Sequence, residues 1–87
     1  MTADDLKRAH RHAGGHRAEL MASDVCGCFY CLAIFPPTAI AGWIGTVDGD
    51  TARCPECVID SVIGSDSGFP ITDEFLKAMQ RHWFNID

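Results

Sequence analysis

Five cysteines stand in two groups, Cys26-Gly27-Cys28-Phe29-Tyr30-Cys31 and Cys54-Pro55-Glu56-Cys57. Each group contains a C-x-x-C step, and 22 residues separate Cys31 from Cys54. Two such pairs supply four thiolates to one tetrahedral ion, for which Zn²⁺ is the usual occupant. The short loop inside each pair lets both sulfurs face one metal, and its N–H groups are placed to donate to the thiolates. The span between the pairs is slightly longer than the usual ~15–20 residues, which leaves room for a hairpin. The spacing therefore predicts one Zn²⁺ per chain on Cys28, Cys31, Cys54 and Cys57. Four thiolates close the coordination shell, so the ion is expected to hold the fold and not to act as a Lewis acid. An iron–sulfur cluster is the alternative occupant of the same cysteines.

Cys26 is left over. Only Gly27 separates it from Cys28, too tight a loop for a knuckle, so it is expected not to touch the metal. It reads as a packed thiol, with a spare ligand or a redox-responsive thiol of lowered pKa as the sharper alternatives. Asp60, three residues past Cys57, is a candidate for accepting backbone hydrogen bonds or supporting the zinc ligands. As an acid–base catalyst it lacks a partner carboxylate. No G-x-G-x-x-G, P-loop, Ser/His/Asp set or paired acidic motif occurs, and no enzyme activity is expected.

The remaining chemistry-bearing stretch is the start of the chain. Lys7, Arg8, His10, Arg11, His12, His16 and Arg17 fall within eleven residues. Arg8, Arg11 and Arg17 are the candidate phosphate contacts, and His12 and His16 are spaced to share a helix face. The plainer reading is a solvated helix face, since charge runs on helices usually meet water. Lys+Arg number 7 against 12 Asp+Glu, a net charge of −5. A Zn²⁺ on four thiolates would take that to about −7. Such a field repels phosphate backbones and argues against general nucleic-acid binding.

With 87 residues, 47% of them hydrophobic, the chain reads as one small globular domain: a helical arm over 1–22, then a zinc core and C-terminal helix over 23–87. Domains of this size commonly need a metal to fold firmly. No stretch is long enough to span a bilayer. Met1 is followed by Thr-Ala-Asp-Asp rather than by a basic and then apolar run, so no signal peptide is read. The expected compartment is the cytoplasm, where reduced thiols serve as metal ligands.

The elements that position these residues can be read in chain order. Thr2 with Asp5 three residues on caps a helix over 2–22, which Gly14-Gly15 breaks. One of Phe29 and Tyr30 is expected beneath the metal loop. Pro36-Pro37 turns the chain, and Thr38 caps a single turn. Trp43–Val47 and 51–53 form a hairpin around Asp48-Gly49-Asp50, with Trp43 in the core. Residues 58–63 read as the first turns of a helix. Thr72 caps the last helix, in which Phe75, Leu76, Met79 and Trp83 make the apolar face and Ile71 staples to Leu76.

Knuckle, hairpin, then a second knuckle opening a helix is an order that resembles the treble-clef zinc finger. It is also similar to the scaffold of the HNH nucleases, but Val58-Ile59-Asp60-Ser61 contains none of the histidines that their catalytic metal needs. More closely, the chain resembles a family of short uncharacterised bacterial cytoplasmic proteins. The likeness is carried by Cys26-Gly27-Cys28-Phe29-Tyr30-Cys31, Cys54-Pro55-x-Cys57, Ile59-Asp60-Ser61-Val62-Ile63-Gly64, Gly68-x-Pro70-Ile71-Thr72 and Trp83-Phe84, over most of residues 17–84. Val58 stands where that pattern usually has Gly. The resemblance implies zinc binding and supplies no activity. The expected fold is a small α+β, treble-clef-like domain, with two zinc knuckles around a β-hairpin and helices at both ends. Its expected role is a binding or adaptor module for another protein. The alternatives are a nucleic-acid-binding finger using the basic arm and a thiol redox or metal sensor using Cys26.

Overall fold

Thr2 opens the chain's first helix, α1 (Ala3–His10), in the computed structural model, which describes residues 1–47 and 49–84. The Thr2 hydroxyl accepts from the Asp5 N–H and the Asp5 carboxylate accepts from the Thr2 N–H, so two otherwise orphaned donors are satisfied. A 3₁₀ turn (Arg11–Ala13) and Gly14-Gly15 separate α1 from α2 (Arg17–Met21). The expected break at the glycines is present, and it turns one helix into two.

Three short strands build a sheet around the first cysteines. β1 (Cys26–Cys28) is central, flanked by β2 (Ile34–Phe35) and β5 (Val62–Gly64), with both pairings antiparallel. β3 (Trp43–Thr46) and β4 (Gly49–Ala52) form a separate hairpin with Thr46 opposite Gly49. This register starts the return strand earlier than the sequence pattern places it. Asp48, which that pattern puts in the turn, lies outside the described residues. A 3₁₀ turn (Pro37–Ala39) lies between β2 and β3, and another (Ser65–Ser67) lies between β5 and α3 (Asp73–Phe84). Thr72 caps α3 by accepting from the Phe75 N–H at 3.2 Å.

One element differs in kind from its expectation. Residues 58–63, expected to open a helix, do not: residues 62–64 are strand, because the ladder Cys26↔Gly64, Gly27↔Ile63, Cys28↔Val62 takes up their backbone groups. Val62 and Ile63 are β-branched and fully covered on opposite faces, the environment in which such residues favour a strand. The second knuckle therefore feeds a strand where a treble clef has its helix. The rest of the expected architecture stands: an α+β domain with two knuckles around the β3–β4 hairpin and helices at both ends.

The three-stranded sheet divides two apolar clusters. Alternation along β1 and β5 sends Cys26, Cys28 and Val62 to one side, with Leu20, Phe35, Ile40, Ala52 and Cys54. It sends Ile63 to the other, where Leu6, Ala9, Phe29, Phe75, Leu76 and Met79 pack between α1 and α3. Gly27 faces α3 so closely that a Cβ there would lie 2.9 Å from a Leu76 methyl. At Gly64 a Cβ would lie 2.2 Å from the Ser23 hydroxyl, which donates to the Glu19 carbonyl and accepts from the Asp66 N–H.

Candidate metal centre

The two cysteine loops have the same backbone design. Cys28 N–H donates to the Ala33 carbonyl and Cys54 N–H to the Ile59 carbonyl, both at 2.9 Å. Leu32 N–H returns to the Cys28 carbonyl, and Val58 N–H to that of Cys54. Tyr30 N–H points at the Cys28 sulfur and Glu56 N–H at the Cys54 sulfur, each at 3.4 Å. N–H donors aimed at sulfur stabilise the thiolate over the thiol. To close each loop, the residue after the second cysteine turns left-handed: φ is 68° at Leu32 and 61° at Val58.

These loops meet tip to tip. The sulfurs of Cys28, Cys31, Cys54 and Cys57 all lie within 4.8 Å of one another. Cys28 Sγ is 3.7 Å from Cys57 Sγ, and Cys31 Sγ is 3.6 Å from Cys54 Sγ. A disulfide needs about 2.05 Å, so these are not bonded pairs. A tetrahedron with metal–sulfur bonds of about 2.3 Å has edges of about 3.8 Å, which both separations approach. The donor set therefore fits a tetrahedral thiolate-bound ion. The first cysteine of each pair is buried and the second reaches the surface, Cys31 the more so.

The electrostatics point the same way. With no cation counted, burial pushes the Cys28 thiol far up and raises that of Cys31 as well. At Cys54 burial also opposes ionisation, but the Cys57 and Glu56 N–H groups and the neighbouring thiols bring it below the ordinary thiol range. Four clustered thiolates are untenable without positive charge among them. A divalent cation supplies it and lets all four ionise together. What an ion there would do chemically is cross-link: it would fasten the β1 loop to the loop between β4 and β5.

Cys26 is not part of this group. It lies on the same face of β1 as Cys28, but its sulfur points toward the Leu20 carbonyl at 4.0 Å, within the apolar cluster. Burial raises its thiol to about 11, the opposite sign from a redox-responsive cysteine. Asp60 is exposed and lines a cleft with His10, Arg11, Gly14, Gly15, Thr46 and Thr51. Phe29 is buried beneath the first loop as expected, whereas Tyr30 lies at the surface with its ring edge-on to Phe84.

The basic arm is largely occupied within the chain. Arg8 pairs with Asp5. Arg17 pairs with Asp50 at 3.0 Å and lies over the Trp43 ring at 4.6 Å. His12 Nδ1 sits 2.9 Å from a Glu19 carboxylate oxygen, and Arg11 is exposed. His12 and His16 have rings 5.7 Å apart, but they form no three-ligand cluster among the described residues. Sequence reasoning did not anticipate the two left-handed positions. Neither Leu32 nor Val58 is a residue type that favours positive φ, so their identities gave no signal of it. No helix among the described residues is long and apolar enough to cross a membrane. In the comparisons with known proteins, no family model, curated protein or solved structure matches the chain.

Proposed function

We propose that this chain is a zinc-stabilised binding module for another protein, held in shape by Zn²⁺ on Cys28, Cys31, Cys54 and Cys57. The observation that carries the metal is the set of four sulfurs within 4.8 Å, with two separations near those of a tetrahedral site. Zinc is the preferred ion because two knuckles bracketing a hairpin are its common setting. A closed thiolate shell assigns the ion a structural part and the module no catalysis. Exposed apolar side chains beside the ligands support the partner reading: Tyr30 within the first loop, Ile34 just after it and Val58 after the second. Five free cysteines suit a reducing compartment, the cytoplasm, and the proposed kinship is with short bacterial zinc-binding proteins.

The rival readings have less support. The nucleic-acid reading loses the guanidinium groups of Arg8 and Arg17 to partners within the chain. The redox reading loses its thiol, since Cys26 is buried. The test is elemental analysis of chelator-free protein, followed by partner capture with the metal-loaded chain and with Ile34→Asp. One zinc per chain is expected, with a captured protein lost in the variant at unchanged metal content. Absence of metal, or capture indifferent to both the metal and Ile34, overturns the reading.

A further inference from the structure

The two loops share one backbone design but not one energy balance. Both Leu32 and Val58 adopt left-handed φ, where an L side chain crowds its own backbone. Leu32 has compensation, because its side chain packs against the cluster between α1 and α3. Val58 has none of that kind. It is β-branched, the type for which positive φ is a genuine outlier, and its side chain is 65% exposed. Packing therefore does not demand valine there. The residue directly before it is Cys57, a half-buried ligand sulfur; Cys31 is the more exposed of the two, but the packing of Leu32 holds its loop.

We propose that Val58 makes the Cys54–Cys57 loop the exchange side of the metal site, where Cys57 yields first to a competing thiolate or chelating ligand. This rests on the four-cysteine reading above and gives that site a regulation: occupancy that tracks the free metal supply. When Cys57 lets go, the chain at Val58 is free to return to extended φ, and the strain is released. The incoming donor forms its bond to the ion as the Cys57 bond breaks. Cys57 leaves as a thiolate and takes a proton from water, with no change in oxidation state. The first loop keeps its hold, because Leu32 loses buried contacts if it opens.

The experiment loads the parent chain, Val58→Gly, Val58→Asn, Val58→Ala and Leu32→Gly with one equivalent of zinc. Transfer to excess pyridylazoresorcinol is followed by absorbance. Co²⁺ spectra of the same proteins report whether the four-sulfur set is intact. Gly and Asn tolerate left-handed φ, so both Val58 variants are expected to hold zinc about ten-fold more tightly and release it more slowly, equivalent to about 1.4 kcal/mol. Val58→Ala, which keeps a Cβ, falls between them and the parent. Leu32→Gly gains less, since it gives up packing. Equal retention by the parent, Val58→Gly and Val58→Asn, with unchanged Co²⁺ spectra, overturns this proposal and leaves the metal reading standing. A parent chain that takes up no metal overturns both.

Discussion

Cys26 and Cys28 sit two residues apart on one face of one strand, yet only Cys28 reaches the cluster of sulfurs. The difference lies in the surroundings of each thiol. Beyond Cys28 the chain turns through a loop that brings Tyr30 N–H and Cys31 back to the sulfur, whereas Cys26 is surrounded by apolar side chains. Cys26→Ala is therefore expected to retain one metal per chain, with stability lowered by about 1 kcal/mol for the small cavity. Cys28→Ser and Cys31→Ser are expected to lose the metal or bind it far more weakly. Metal content and thermal midpoints of the three variants, measured side by side, decide this, and metal loss in Cys26→Ala alone would invert the assignment. In the native loaded protein Cys26 should also resist iodoacetamide until the fold is opened, since burial holds its thiol up at about 11. The four grouped sulfurs were legible in the sequence because ligand spacing is a local property. The reach of Asp60 and of the arginines was not, because it depends on which distant segment each side chain meets.

At the scale of elements, the helices declared themselves and the sheet did not. Thr2 and Thr72 are caps whose acidic first turns are visible in the sequence, and Gly14-Gly15 marks the break between α1 and α2. β2 is two residues long and β5 three, too short to show alternation, and each exists because β1 lies beside it. That is why residues 58–63 read locally as helix. The glycines at 27 and 64 are what allow this sheet to be covered so closely. Gly27→Ala would press a methyl into Leu76 and Ile71 and is expected to destabilise the fold by about 1–3 kcal/mol without removing a ligand. Chemical denaturation of the metal-loaded protein checks it, and an unchanged midpoint would show that α3 gives way easily. Thr72→Ala should cost about 1 kcal/mol through the lost cap, read in the same assay.

For the whole molecule, the cysteine site and the two apolar clusters are joined, because Cys28 and Cys54 belong to one cluster and Phe29, in the first cysteine loop, belongs to the one between α1 and α3. Stripping the metal is expected to abolish the cooperative thermal transition at neutral pH or to lower it steeply. The pH response should reverse with occupancy. In the loaded chain protons compete for the sulfurs, so stability falls toward acid. In any fold that survives without metal, burial raises Cys26 and Cys28 above the ordinary thiol value. Their contribution is then full below about pH 9 and is lost as pH rises through the folded values. Thermal midpoints from pH 5 to about 10, with and without chelator, test for this crossing. Nucleic-acid binding should be weaker than micromolar at physiological salt, since the net charge is −5 and Arg8 and Arg17 are engaged; tight binding lost on neutralising Arg8, Arg11 and Arg17 would contradict this. The hairpin between the cysteine pairs has one more consequence. Its two ends are anchored at Cys31 and Cys54, while Val47 at its tip is fully exposed. Doubling such a tethered excursion adds only about 0.6 kcal/mol of closure entropy. A flexible epitope or fluorophore-acceptor peptide of about twenty residues, spliced in beside Val47, should leave metal content and fold intact. The tip is thus a handle by which the protein can be labelled and tracked while all three α-helices and all five cysteines stay untouched.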